Sequence, residues 1–311
     1  MTGEKFVKPI KPKVDINKVN THIIPFEFEY FEPRTVKEAV ELLTKYGGEA
    51  KILAGGTDLI VRMKQRFIEP KYIINIKKIK ELNFIEDRGD YLAIGAATKL
   101  REIEKSGIVK RKFEALYEAV RSMAGVQIRN MATIGGNLCN ASPAADTAPP
   151  LLVFEAKLKI VGPNGERVVP INEFFLGPGK TVLKPNEILT EIQIPYQPED
   201  TGSAFIKIAR VAMDLAKVNV AVALRTEGSI VKWVRIALGA VAPTPIRAYK
   251  TEEFLVGKEL NEETLKEAAE IVKTEVKPIT DIRSTAEYRR EVSGVIVKDA
   301  LLRAYERISK G

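Results

Sequence analysis

The chain has 311 residues, more than one average domain, and 45% of them are hydrophobic, which supports a substantial core. Its net charge of +8 comes from 49 basic residues interleaved with 41 acidic ones, with no basic block carrying aromatics, so a solvated mixed-charge surface is expected rather than a nucleic-acid interface. One cysteine and one histidine exclude an internal disulfide, a zinc finger and a cysteine-ligated iron–sulfur cluster, so any metal chemistry belongs to a partner.

No apolar run approaches the roughly 20 residues of a membrane span, and no signal-peptide core opens the chain, so a soluble cytoplasmic protein is expected. The abundance of Lys and Glu with few Gln also suits a heat-adapted protein.

Residues 1–25 mix Lys, Pro, Val and Asn without helical or strand period and read as an extended N-terminal arm, with His22 incidental to it. From Phe26 the pattern sharpens. Thr35-Val36-Lys37-Glu38 is a capping box, and Val36, Ala39, Val40 and Leu43 line one helical face that Gly47-Gly48 closes. A strand over 51–53, a glycine turn, a helix over 59–67 capped by Thr57 or Asp58, and a strand over 72–76 complete a small α/β unit. A second unit opens with a strand near 91–98, followed by helices near 100–104 and 113–123 and a helix from Pro143 to Phe154 that Pro149-Pro150 bends or divides.

Strands over 157–161 and 167–169 read as a hairpin, with Asn164-Gly165 supplying a type I′ turn. A strand over 188–194 and a linker over 197–202 follow. Val218, Val220, Val222 and Leu224 then alternate with Asn219, Ala221, Ala223 and Arg225, a period-2 strand. Glu227-Gly228-Ser229 turns it into a strand over 230–238, where Trp233 packs the sheet, and helices are expected near 262–274 and 285–308. The expected division is an N-terminal extension, 1–25; a domain over 26–200 with subdomains of about 26–82 and 83–200; and an α+β domain over 203–311.

Two segments are candidates for chemistry. The stretch 128–150 carries Gly135-Gly136, preceded by Ala132, Thr133 and Ile134 and followed by Asn137, Asn140 and Ser142. Glycines can take positive φ and let backbone N–H groups approach a phosphate without an intervening Cβ, and the polar side chains add donors. Ala54-Gly55-Gly56-Thr57-Asp58 is a second loop of this kind, opening a helix whose positive end favours an anion, with Asp58 facing away. Two such loops can clamp one diphosphate. Valine at Gly55 or Gly135 is then expected to lower cofactor content more than fold stability. Arg129 reads as a solvated loop charge outside the site, and Cys139 as packing inside a tight loop.

Other motifs fail. No G-x-G-x-x-G occurs, so a nicotinamide-type Rossmann domain is not indicated. Gly177-Pro178-Gly179-Lys180-Thr181 imitates the end of a P-loop, but the required first glycine falls at Phe174. Neither a Ser-His-Asp triad nor a glycosidase-like carboxylate pair stands out.

The two glycine segments resemble the paired flavin-diphosphate loops of the FAD-binding middle subunit of molybdenum hydroxylases, the CO dehydrogenase, xanthine dehydrogenase and aldehyde oxidoreductase group. Segments 187–195, 204–207, 238–245 and 286–290 resemble that subunit in order and spacing, so the likeness runs from about Phe26 to the C-terminus. It implies an α+β fold: a two-subdomain FAD-binding domain of the vanillyl-alcohol-oxidase / p-cresol methylhydroxylase type, then an α+β domain like that ending the CO dehydrogenase flavoprotein. It also implies non-covalent FAD, with Lys51, Ile52, Leu53, Ala54, Gly55, Gly56, Thr57 and Asp58, and Ala132, Thr133, Ile134, Gly135 and Gly136, along the diphosphate and ribityl region. Asn137, Asn140, Ser142 and Asp146 would lie along the ribose and adenine, with Asp146 accepting from a hydroxyl. Met123, Leu189 and Lys207 match positions near flavin or adenine, although Met123 replaces the aromatic residue of xanthine dehydrogenase-like members. No catalytic or metal-ligating residue is implied.

The implied role is electron transfer from iron–sulfur clusters through FAD to an external acceptor. The implied partners are a small subunit with 2Fe-2S clusters and a large molybdopterin subunit, in a hetero-oligomer such as a dimer of heterotrimers. A cluster takes about four ligands, usually thiolates, and this chain has one cysteine. A stand-alone FAD oxidase or dehydrogenase is the alternative, and would need a base beside the flavin. A cofactor-free scaffold would have no need of the glycine pairs.

Overall fold

A computed structural model describes residues 24–308; His22 and most of the expected N-terminal arm lie outside the described residues. Strand β1 (Glu29–Phe31) leads to helix α1 (Val36–Tyr46). Thr35 caps that helix: its hydroxyl accepts from the Glu38 N–H at 3.1 Å, while the Glu38 carboxylate accepts from the Arg34 N–H at 2.7 Å, one residue before the partner of a full capping box. Gly47, at φ +53°, ends the helix. β2 (Ala50–Leu53), α2 (Leu59–Lys64) and β3 (Tyr72–Asn75) complete a parallel sheet of order β1-β3-β2. α1 buries Ala39, Val40, Leu42 and Leu43 in a cluster with Phe31 and Ile74, and Met63 of α2 clusters with Leu53 and Ile73. α2 is shorter than expected, because Arg66 takes φ +58° and Phe67 has nothing to pack on. Asp58 occupies its N-cap position without a side-chain cap.

The second unit runs through β4 (Ile85–Asp87), β5 (Tyr91–Gly95), α3 (Leu100–Lys105), α4 (Gly107–Lys112), α5 (Glu114–Ser122), α6 (Val126–Arg129), α7 (Ile134–Asn140) and α8 (Ala148–Val153). β6 (Lys157–Gly162), β7 (Gly165–Pro170), β8 (Phe175–Gly177), β9 (Lys180–Thr181) and β10 (Ile188–Pro195) follow. An antiparallel sheet of order β4-β5-β10-β6-β7 holds it together. Here two expectations change. The helix expected from Pro143 begins at Ala148, with the prolines in its first turn, where their missing N–H groups leave no bond unmade. The β6–β7 hairpin closes at Gly162↔Gly165, and Pro163 fixes a negative φ that a type I′ turn forbids; Gly165 alone takes φ +107°. The P-loop look-alike is the β8–β9 hairpin.

The third unit has an antiparallel sheet of β11 (Gly202–Ile208), β12 (Val218–Glu227), β13 (Ile230–Gly239) and β14 (Ile246–Arg247), followed by α9 (Tyr249–Leu255), α10 (Glu262–Glu275) and α11 (Ala286–Ile308). α11 covers β11 and β12, and α5 and α8 also pack against this sheet. Both faces of β12 are therefore buried. Val218, Val220, Val222 and Leu224 join the core under the C-terminal helices, whereas Ala221 and Ala223 join the central core with Leu152, Leu158 and Ile192. The period-2 pattern separates two cores rather than core from solvent. Among the described residues no helix is long and apolar enough to cross a membrane.

Candidate cofactor site

The loop after β2 and the segment before α7 are pressed together. A Cβ built on Gly55 would stand 2.5 Å from the Met131 carbonyl oxygen and 2.7 Å from Ala132 Cα, and one on Gly136 would stand 3.9 Å from the Ala54 Cβ. The α7 segment is tied to the end of β5: the Leu100 N–H donates to Ala132 O at 2.9 Å, Ile134 to Thr98 O at 3.1 Å, and Gly135 to Ala96 O at 2.9 Å. Thr133 caps α7 by accepting from the Gly136 N–H at 3.1 Å. Gly135 and Gly136 thus lie in a helix without positive φ, and their N–H groups are already used. In the first loop, Gly56 does take φ +82°. Among the described residues no protein acceptor meets the N–H groups of Gly55, Gly56, Thr57 or Asp58.

Between these walls lies a cleft of about 810 Å³. All the site residues expected from sequence line it except Leu53, Ile134 and Lys207. Leu53 packs with Met63 and Ile73, and Ile134 is in the central core. Lys207 sits behind the wall, 6% exposed, donating to Asp146 at 2.8 Å and to the Ser122 carbonyl at 3.2 Å. Asp146 also accepts from Asn219 Nδ2 at 2.7 Å, so both its oxygens are engaged from the C-terminal sheet before any ligand hydroxyl arrives. Burial raises its pKa against the pull of Lys207 and Asn219. Asp58, expected to face away, is among the lining residues.

Asn137 accepts from the Thr147 hydroxyl at 2.6 Å, which leaves its amide N–H₂ to donate. Sequence reasoning missed Arg62 and Lys184, which bring positive charge to the lining, and Gly179, which the β8–β9 hairpin places there through its N–H bond to Ala141 O at 3.0 Å. The basic residue at the end of α2 was the available signal for Arg62. Cys139 is partly exposed in the same wall, and burial pushes its thiol up to about 12, so it stays neutral. Arg129 is not solvated as expected: it is 7% exposed and bonds Glu104 and two backbone carbonyls. A separate cleft of about 970 Å³ beside α1 and β6 mixes Lys37, Lys45 and Lys159 with Glu41, Glu81 and Glu166, and has no comparable donor loop.

The open N–H groups of residues 55–58, the neutral amides and the cations Lys51, Arg62 and Lys184 suit a long ligand with a central anionic group. FAD is such a ligand, and these residues fit it.

Residues 26–197 match the model of the FAD-binding domain in molybdopterin dehydrogenase, and residues 203–304 match that of the CO dehydrogenase flavoprotein C-terminal domain. The chain is 39% identical over 285 residues to the carbon monoxide dehydrogenase medium chain of Hydrogenophaga pseudoflava, covering 92% of this chain and 99% of that one. It is 38% identical over 283 residues to the xanthine dehydrogenase FAD-binding subunit of Escherichia coli O157:H7, covering 90% and 97%. A solved structure of carbon monoxide dehydrogenase from H. pseudoflava, lacking the Mo-pyranopterin moiety of its cofactor, superposes with a TM-score of 0.90 at 40% identity over 92% of this chain and 99% of that chain. Fold and cleft define an FAD-binding oxidoreductase component of α+β architecture. The chain belongs to the FAD-binding subunits of the molybdenum hydroxylase family.

Proposed function

We propose that the chain passes electrons between a partner's iron–sulfur clusters and an external acceptor through FAD held in the cleft between its first two sheets. The observation that carries this reading is the apposition of the Gly55–Gly56 loop and the α7 segment, backbone against backbone, around a cleft with unpaired N–H donors. When bound, FAD supplies the exchange of electrons singly with one centre and in pairs with another. The chain's own residues bind and orient it. The N–H groups of Gly55, Gly56, Thr57 and Asp58 meet the diphosphate, with Lys51 and Arg62 nearby, and the side chains of Asn137, Asn140 and Ser142 serve the ribose and adenine. Leu189 and Met123 supply apolar wall. Asp146 in that wall and Lys207 behind it act as a brace.

The named relatives are a medium chain and an FAD-binding subunit. Those names support a hetero-oligomer with partner subunits; the reading adds a small iron–sulfur subunit, a large molybdopterin subunit, a dimer-of-heterotrimers organisation and a cytoplasmic location. The division into an FAD-binding domain over 26–200 and a C-terminal domain over 203–311 belongs to the same reading. About one FAD per chain is expected after denaturation and chromatography; FMN, or no flavin after reconstitution, overturns the assignment. The isolated chain should be reduced by dithionite yet remain inert toward aldehydes, purines and CO, with substrate-driven flavin bleaching only when partners are added. Turnover of an organic substrate by the isolated chain at the assembled rate would instead establish a stand-alone flavoenzyme.

A further inference from the structure

Ser122, Met123 and Ala124 form the turn between α5 and α6, and three successive carbonyls in it are gripped by two buried cations. Lys207 donates to Ser122 O at 3.2 Å, and Arg129 Nη1 donates to Met123 O at 2.9 Å and to Ala124 O at 2.7 Å. Glu104 holds the same guanidinium from its far side, through Nε at 2.9 Å and Nη2 at 3.3 Å, and is itself paired with Arg101 at 2.8 Å. Met123, at φ −80° and ψ 119°, precedes Ala124 at φ +43°. This follows a type II turn, whose second central residue is normally glycine because a Cβ is strained there. Met123 and Ala124 line the cleft, whereas Arg129 and Glu104 do not.

We propose that Arg129 is a positioning residue for the cofactor: from behind the cleft wall it holds the Met123–Ala124 peptide in its strained orientation, so that the carbonyls point away from the cleft and the Ala124 N–H and Met123 side chain face FAD. In a planar trans peptide the Ala124 N–H points opposite to the Met123 carbonyl, and so away from the guanidinium. Among the described residues it meets no protein acceptor. Without the cation, alanine favours a negative φ, and the peptide would turn its carbonyl oxygen toward the ligand.

This inference rests on the cleft holding FAD, and a double-mutant cycle tests it on the full-length chain, alone or in its complex. FAD affinity is measured for wild type, Arg129→Ala, Ala124→Gly and the double variant. Arg129→Ala should weaken FAD about tenfold or more, the scale of lost hydrogen bonds to a charged group. In the Ala124→Gly background the same change should cost only a few-fold, because glycine adopts the turn unaided. Arg129→Lys should fall between, since an ammonium cannot span two carbonyls and a carboxylate in one plane. It replaces Arg129→Ala in the cycle if the alanine variant does not fold. Wild-type affinity in Arg129→Ala, or an equal loss in both backgrounds, overturns the positioning role. A wild-type chain that binds no FAD overturns the reading of the cleft itself, and this assignment with it.

Discussion

At Gly55 and Gly135 the missing side chain is required where one piece of backbone touches another. A Cβ at Gly135 would stand 2.6 Å from both the Cβ and the carbonyl oxygen of Ala96, and one at Gly55 would strike the Met131–Ala132 backbone. The expectation that valine there lowers cofactor content more than fold stability is therefore replaced. Gly55→Ala and Gly135→Ala should destabilise even the cofactor-free protein, by about 1–3 kcal/mol for a methyl forced into packed surroundings. Thermal unfolding of stripped protein reads this directly; unchanged stability with lost FAD would restore the purely binding role. The sequence pointed to the right glycines because close approach of any kind, to ligand or to chain, selects the same residue. It misplaced Arg129, because a loop arginine looks the same whether water or two carbonyls surround it. Glu104 adds a pH dependence. Burial pushes its pKa up, but Arg129 and Arg101 overcome this and leave it below the usual value. Folded protein then binds fewer protons than unfolded, so this stabilisation is present above the ordinary glutamate range and lost as pH falls through the lowered pKa. Denaturant titrations below about pH 5 should show a shallower acid-side loss in Glu104→Gln than in wild type.

Among the elements, α7 owes its start to Thr133 more than to intrinsic propensity, since two of its first three residues are glycine. Thr133→Ala should cost about 1 kcal/mol, the usual worth of such a cap, and should loosen the side of the cleft where Gly136 faces Ala54. The unfolding midpoint of the apo protein checks this, and an unchanged midpoint would mean the ties to β5 alone set the helix start. Elements with a clear local pattern were legible: α1 from its cap and apolar face, the β6–β7 hairpin as a strand pair though not in its turn type, and α10 as a helix near 262–274. α4 and α9 were not, being short helices of six and seven residues fixed by tertiary packing. β12 was recognised as a strand but not as one buried on both faces. Its alanines look neutral in sequence, and their small size matters only once α5 and α8 lie against them.

For the whole molecule, the C-terminal sheet and the FAD-binding part form one packed body joined by charged clasps. Lys207 reaches Asp146 and the α5–α6 turn, and Arg307 at the end of α11 meets Glu118 of α5 at 2.6 Å. Removing one partner of the buried Lys207–Asp146 pair should destabilise the chain by about 3–5 kcal/mol. Lys207→Ala should therefore lower the denaturation midpoint sharply, and a loss below about 1 kcal/mol, typical of exposed pairs, would mean that water already screens this site. The shared core also has a bearing on synthesis. The apolar surface of α5 and α8 leaves the ribosome well before β11, β12 and β13, which cover it. At about 5–20 residues per second, the ~90 residues between α8 and the end of β13 leave that surface uncovered for about 5–20 s. During that interval the nascent chain presents an unfinished hydrophobic wall, so chaperone supply during translation, rather than the stability of the finished fold, should govern how much protein a host recovers.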